Sequence, residues 1–258
     1  MHASDRIRKV EAVVIAHKDY GEADRFVRVF SLQDGKLNTL AKGVRKMQSR
    51  KAAHLEPFTH AALVLAHGHT FWIVTQAETL NAFPAIREDL DKTTEASYVM
   101  ELVDKVSTEG QAEPALFRLA LETLKRINDT DDTYNAMRYF ELRFLDIAGF
   151  RPELQHCVAC KKDIQPEDQY FSPLQGGILC PQCGRMDNKA IAASQDTLRY
   201  LRHFQRSNYK NIESIQVPPK VRAALQRILG AYLASVLEWQ LKTPAFQQQI
   251  RNKGERSA

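Results

Sequence analysis

The stretch CVACKKDIQPEDQYFSPLQGGILCPQC, residues 157–183, holds all four cysteines of a 258-residue chain, and no other feature constrains the fold as tightly. The pattern is C-x2-C-x19-C-x2-C, which lies inside the spacing expected of a four-thiolate metal site. Each C-x-x-C turn lets two sulfurs approach one ion at about 2.3 Å, and the intervening loop brings the two turns together. Disulfides or a redox couple are the other uses of four thiols. The N-terminus MHASDRIRKVEAVV puts charges where a signal peptide needs an apolar run, and no segment approaches about eighteen uninterrupted apolar residues. The expectation is a cytoplasmic chain without a membrane span, in a reducing compartment where structural disulfides are rare. Cys157, Cys160, Cys180 and Cys183 are therefore expected to ligate one structural zinc per chain, iron being the other ion such a cage suits. A closed shell of four thiolates leaves no position for water or substrate, so the site reads as a staple and not as a catalytic centre.

The first eighty residues read as strands. KVEAVVIAHKDY is a β-branched run, and ADRFVRVFSLQDGKLNTLAKG reads as two strands joined at the hairpin dipeptide Asp34-Gly35. FTHAALVLAHGHTFWIVTQAE adds two more, turning near His67-Gly68. Five strands with a longer polar link between the third and fourth fit a small closed barrel of the OB type. Tyr20, Phe26, Phe30, Phe71 and Trp72 lie on these strands; most are expected in the barrel core, and any that are not are available to stack bases.

From about residue 85 the period becomes helical. TTEASYVMELVDKV, EPALFRLALETLKRI and TYNAMRYFELRFLDI read as helices, the last with Met137, Phe140, Phe144 and Ile147 on one stripe and Tyr139, Leu142 and Leu145 on its other side. Gly149 and Pro152 stop it. Ser194 caps SQDTLRYLRHFQRS, and a long helix follows Pro218-Pro219, with the last dozen residues read as a solvated tail. The fold class is thus α+β: a five-stranded OB barrel over 1–80, a helical domain over 81–150 and 193–258, and a four-cysteine zinc module inserted over 151–192.

Net charge is +5, unevenly spread. Residues 1–80 carry 12 Lys/Arg against 8 Asp/Glu, residues 81–150 carry 8 against 14, and residues 196–258 carry 11 against 4. Clustered positive charge points to a polyanionic partner. The densest cluster is AKGVRKMQSRKAAH, residues 41–54, where Lys42, Arg45, Lys46, Arg50 and Lys51 crowd a flexible link between the third and fourth strands, a workable phosphate track. Arg199, Arg202 and Arg206 recur at helical spacing and form a second basic stripe, suited to nucleic acid or to an acidic peptide. No phosphate-binding GxxxxGK[ST] loop, GxGxxG, H-E-x-x-H or G-x-S-x-G is present, so the chain is not expected to be an enzyme. DTDD at 129–132 has carboxylates close enough for a divalent ion, but reads as a helix-capping loop in preference to one.

YGEADRFVRVFSLQDGKLNTLAKGVRKMQSR, LEPF, RYFELRFLDIAGFRPELQHCVAC and GGILCPQC together resemble the RecO family of bacterial recombination mediators. The most specific parts are G-E-x-D, A-K-G and the F-E-L-R-x-L-x-x-x-G-F-x-P run that leads into the cysteines. The resemblance implies an N-terminal OB-fold, a helical C-terminal domain and, in members with these thiols, a zinc module. It also implies a role in DNA repair, homologous recombination and the response to DNA damage: binding of single- and double-stranded DNA, annealing of complementary strands and, with RecR, loading of RecA onto strands coated by single-stranded DNA-binding protein. The DNA-contact expectation falls on Lys36, Lys42, Arg45, Lys46, Arg50 and Lys51. The coating protein's acidic tail is assigned to the C-terminal helices, with Arg199, Arg202 and Arg206 as its candidates. The bacterial cytoplasm, at the nucleoid, is the implied location. The competing reading is a sequence-specific, zinc-containing regulatory DNA-binding protein; it asks for basic residues between the thiols, where only Lys161 and Lys162 stand.

Overall fold

Hydrophobic alternation with a period of two governs the N-terminal half. The computed structural model describes residues 6–254, and the chain divides into a unit of residues 1–133 and a unit of residues 134–258. In the first unit, strands β1 (Ile7–Tyr20), β2 (Asp24–Ser31), β3 (Gly35–Ala41), β4 (His60–His67) and β5 (Trp72–Asn81) close a barrel in the order β1-β2-β3-β5-β4. All neighbours run antiparallel except β3 and β5, which pair in parallel through Thr39 with Trp72 and Leu40 with Ile73. This is the OB-fold predicted from the strand count.

Closure depends on β1. Its first half, Ile7–Val13, pairs with β4, and its second half, from Ala12 to Tyr20, pairs with β2. A bulge between Val14 and Ala16 bends the strand from one neighbour to the other. Val10, Ala12, Val14, Val27, Val29, Leu37, Leu63, Leu65 and Val74 fill the interior, with Val44 and Leu55 packing in from the β3–β4 connection. Buried Thr39 satisfies its hydroxyl on the Val27 carbonyl at 2.8 Å.

Three helices complete this unit: α1 (Pro84–Glu88), α2 (Leu90–Val106) and α3 (Pro114–Asp129). Asp89 caps α2 by accepting from the Asp91 and Lys92 amides at 2.8 and 3.0 Å. The segment after α2 is clamped onto β3: the Gly110 amide donates to the Lys36 carbonyl at 3.0 Å. Gly35 sits here at φ +62°, and a Cβ on it would collide with the Gln111 carbonyl oxygen. Gly35→Ala is accordingly expected to destabilise the chain by about 2–3 kcal/mol in urea unfolding, through the left-handed backbone and the clash together.

The second unit packs α4 (Tyr134–Ile147), α6 (Gln195–Arg206) and α7 (Pro219–Gly254) together. As expected, α4 is buried nearly all round, from Asn135 through Leu145; Ile147 is the exception and is exposed, because the helix ends where the packing does. Ser194 caps α6 through the Thr197 amide at 3.2 Å. The helix α7 continues through Gly254, so most of the expected C-terminal tail is helical, while residues 255–258 lie outside the described residues. Between α4 and α6 the chain forms a small sheet of β6 (Gln169–Ser172), β7 (Gly177–Leu179) and β8 (Ile191–Ala193) in the order β7-β6-β8, plus the single turn α5 (Pro181–Gly184). No helix among the described residues is long and apolar enough to cross a membrane.

Candidate functional site

The cysteine segment folds into two facing turns. Lys161 closes the first by adopting φ +64° and donating its amide to the Cys157 carbonyl at 2.8 Å. Cys180 opens α5, whose Gly184 amide returns to the Cys180 carbonyl at 2.8 Å. The hairpin between them brings all four sulfurs within 4.8 Å of one another. Four ligands at about 2.3 Å around a tetrahedral ion stand roughly 3.8 Å apart, and the Cys160 and Cys180 sulfurs are separated by 3.9 Å. The donor set fits zinc.

Electrostatics in the cluster point the same way. Burial pushes the Cys157 thiol up, but the Cys160, Cys180 and Ala159 backbone amides outweigh it and bring the pKa down to about 6. The Cys180 amide lies 3.4 Å from that sulfur. Hydrogen bonding to Cys180, then burial, pushes Cys183 up to about 12. Amide donors prepare one thiolate, and a full set of four needs a cation to neutralise it. Among the described residues these cysteines are the one group of His, Cys, Asp or Glu whose ligand atoms converge in this way, so DTDD does not form a comparable cluster.

Side chains of the second unit's helices hold the segment that enters the cluster. Arg202 donates from Nε and Nη2 to the Leu154 carbonyl at 2.9 and 2.6 Å, Gln205 donates to the Pro152 carbonyl at 2.7 Å, and the Tyr232 hydroxyl donates to the Phe150 carbonyl at 2.9 Å. Arg202 is thus an internal brace, and burial lowers its pKa. Arg199 pairs with Asp196 at 3.2 Å. All three arginines of the predicted stripe line a cavity of about 400 Å³, together with Glu167 and Asp196.

On the barrel, the basic link is not the loose loop its composition suggests. Asp24 accepts from the Gly43 amide at 2.7 Å, the Arg45 amide donates to the Ala23 carbonyl at 2.9 Å, and Val44 is buried. Arg45 also pairs with Asp19 at 3.2 Å, and Asp19 is shared with Arg25, whose hydrogen bond holds the Asp19 carboxyl below its ordinary range. The link therefore presents Lys42, Arg45, Lys46 and Arg50 to solvent from a fixed base. Two of the expected contacts are otherwise engaged. Lys51 donates to the Lys42 and Val74 carbonyls at 3.2 and 2.9 Å, and burial lowers its pKa. Lys36, 19% exposed, donates to the Asp104 carbonyl at 2.5 Å and faces its carboxylate at 3.3 Å.

The aromatic residues also depart from expectation. Of the five, Phe30 alone is fully buried, and it packs on Phe117 of α3 instead of inside the barrel. Phe26, Arg28 and Phe30 share the outward parity of β2, while Val27 and Val29 point in. Tyr20 and Phe71 are exposed at 52% and 41%, and the Phe26 ring lies 4.6 Å from Tyr20 and 5.0 Å from Phe71. Trp72 is half-buried at the barrel mouth, its ring 5.0 Å from His67. Phe26, Phe71 and Trp72 line an open groove of about 670 Å³ on β1, β2, β3 and the β4–β5 turn. Lys18, exposed and isolated in the sequence, lines it as well. In OB-folds the β2–β3 face and the loops after β1 and β4 are the usual ligand surface.

The fold and the two sites define an OB-barrel protein whose second, helical unit carries a four-cysteine cluster. Family models described as Recombination protein O N terminal and Recombination protein O C terminal match residues 6–83 and 87–245. The DNA repair protein RecO of Roseiflexus sp. (strain RS-1) is 36% identical over 247 residues, covering 96% of this chain and 87% of the relative. DNA repair proteins RecO of Dehalococcoides mccartyi (strain ATCC BAA-2266 / KCTC 15142 / 195) and Desulforamulus reducens are 34% and 31% identical, covering 89% and 95% of this chain and 90% and 95% of the relatives. The chain belongs to the RecO family, which places it in DNA repair and recombination.

Proposed function

We propose that this chain is a non-enzymatic recombination mediator that binds single- and double-stranded DNA and anneals complementary strands, using its barrel as the DNA module. The observation that carries the reading is a pair of features on one barrel: Lys42, Arg45, Lys46 and Arg50 exposed on a fixed link, and a groove lined by Phe26, Phe71 and Trp72, with Arg45 paired to Asp19 next to Tyr20, whose ring packs on Phe26. Cations track phosphates and aromatic faces stack bases whatever their sequence, the combination that holds single strands. Annealing then needs no bond to break. Two strands repel through their phosphates, and a surface that neutralises part of that charge lowers the barrier to pairing.

Labour divides along the chain in this account. Residues 1–80 hold DNA; of the expected helical domain, residues 81–133 belong to the barrel's unit and residues 134–150 and 193–258 to the second unit; residues 151–192 bind one zinc ion through Cys157, Cys160, Cys180 and Cys183. The ion supplies cross-linking and no catalysis. Family resemblance supports RecR, RecA loading and the acidic tail of single-stranded DNA-binding protein as the wider context, in the bacterial cytoplasm. Arg199 and Arg206 are the cations such a tail would meet in the cavity of the second unit.

Fluorescence anisotropy with a labelled single-stranded oligonucleotide tests the barrel reading. Phe71→Ala removes an exposed ring without touching the core, so it should weaken binding by about 1–3 kcal/mol and leave the salt dependence unchanged. Unaltered affinity in that variant would remove stacking from the account.

A further inference from the structure

One wall of the aromatic groove carries a carboxylate, an unusual lining for a surface that holds a polyanion. Glu109 follows α2, and its backbone is fixed by the Lys36–Glu109 bridge and the Gly110 amide on the Lys36 carbonyl. Its side chain is fixed by a relay across the barrel face. Asp104 pairs with Arg28 at 2.7 Å, Arg28 Nε donates to the Asn38 side-chain oxygen at 3.1 Å, and Asn38 Nδ2 donates to Glu109 Oε2 at 3.0 Å. The second carboxylate oxygen has no partner among the described residues, and Glu109 lines the groove with Phe26, Phe71 and Trp72.

An ionised carboxylate offers acceptors and no donor. Beside a stacked base it favours an edge that presents an amino group and disfavours one that presents carbonyl oxygens. Cytosine and adenine carry such an amino group; thymine presents O4 in its place. The relay engages both ends of Asn38, whose oxygen accepts from Arg28 and one of whose two amide hydrogens goes to Glu109.

We propose that the groove selects among single-stranded bases, with Glu109 accepting a hydrogen bond from the exocyclic amino group of a base held against Phe26 and Phe71, so that cytosine is preferred and thymine rejected. This inference rests on the groove being the single-strand site proposed above. Relays of this kind also serve a purely structural end, but that role leaves the free oxygen and its position in the groove unused.

Oligo(dC) and oligo(dT) of equal length make the cleanest comparison, since both are pyrimidines and differ mainly at the pairing edge. In anisotropy competition at fixed salt the native chain should bind oligo(dC) about tenfold more tightly. Glu109→Ala should bring the two to within about twofold, and Glu109→Gln, whose amide can donate to O4, should raise the affinity for oligo(dT). Glu109 is exposed, so both variants should fold, and their melting curves check this. Equal binding of the two oligonucleotides by the native chain, or a preference that survives in Glu109→Ala, overturns the selectivity alone. Failure of the native chain to bind either in dilute buffer overturns the groove as a DNA site, and this inference with it.

Discussion

A Cys157→Ser chain is expected to lose its bound metal and to melt far below the native chain. Cys157 is fully buried, and its sulfur collects the backbone amides that prepare the cluster. Structural zinc contributes on the order of 10 kcal/mol or more in small modules. Even part of that loss, at roughly 3–4 °C per kcal/mol for a unit of this size, moves the transition by tens of degrees. The braces from Arg202, Gln205 and Tyr232 hold the entering segment but not the two knuckles, so they do not replace the ion. Metal analysis of the native chain should give about one zinc per chain, and a strong chelator should reproduce the low melting temperature. Oligonucleotide binding measured well below the transition should persist in the variant, because the barrel has its own core. A native chain that is metal-free and equally stable contradicts the assignment.

The second large effect is on annealing. Changing Lys42, Arg45, Lys46 and Arg50 together to Ala removes four exposed cations and no core atom. Arg45 loses its pair with Asp19, but Arg25 continues to hold that carboxylate. The variant should therefore fold as the native chain does. Its annealing rate for complementary oligonucleotides should fall on the order of a hundredfold near 0.1 M salt, as counterion release from four phosphates is lost. Undiminished annealing would take the basic link out of the mechanism.

How far the sequence spoke depended on the range of the interactions involved. The barrel was legible because its signals are local: alternation such as Val27 and Val29 against Phe26 and Arg28, and the Asp34-Gly35 turn. The cysteine cluster was legible because its spacing is itself the chemistry. The groove was not. Phe26 and Phe30 share one parity, and only the arrival of Phe117, far along the chain, covers one and leaves the other open. Charge density singled out the link, yet it carried no information on partners. Lys36 is taken by Asp104, 68 residues away, and Lys51 by the Val74 carbonyl, 23 residues away. Glu109 and Lys18 were invisible for the same reason: their place in the groove exists only once β3, α2 and the β4–β5 turn have met.

The most direct test of charge neutralisation on the barrel is the salt dependence of single-strand binding. Lys18, Lys42, Arg45, Lys46 and Arg50 are the five exposed cations assigned to phosphates; Arg28 also lines the groove but is held by Asp104 at 2.7 Å. With about five phosphates neutralised, log K should fall against log salt with a slope near −3.5, and the fourfold Ala variant, left with Lys18, should approach roughly −0.7. A slope close to zero in the native chain, or one the variant leaves unchanged, would contradict the account.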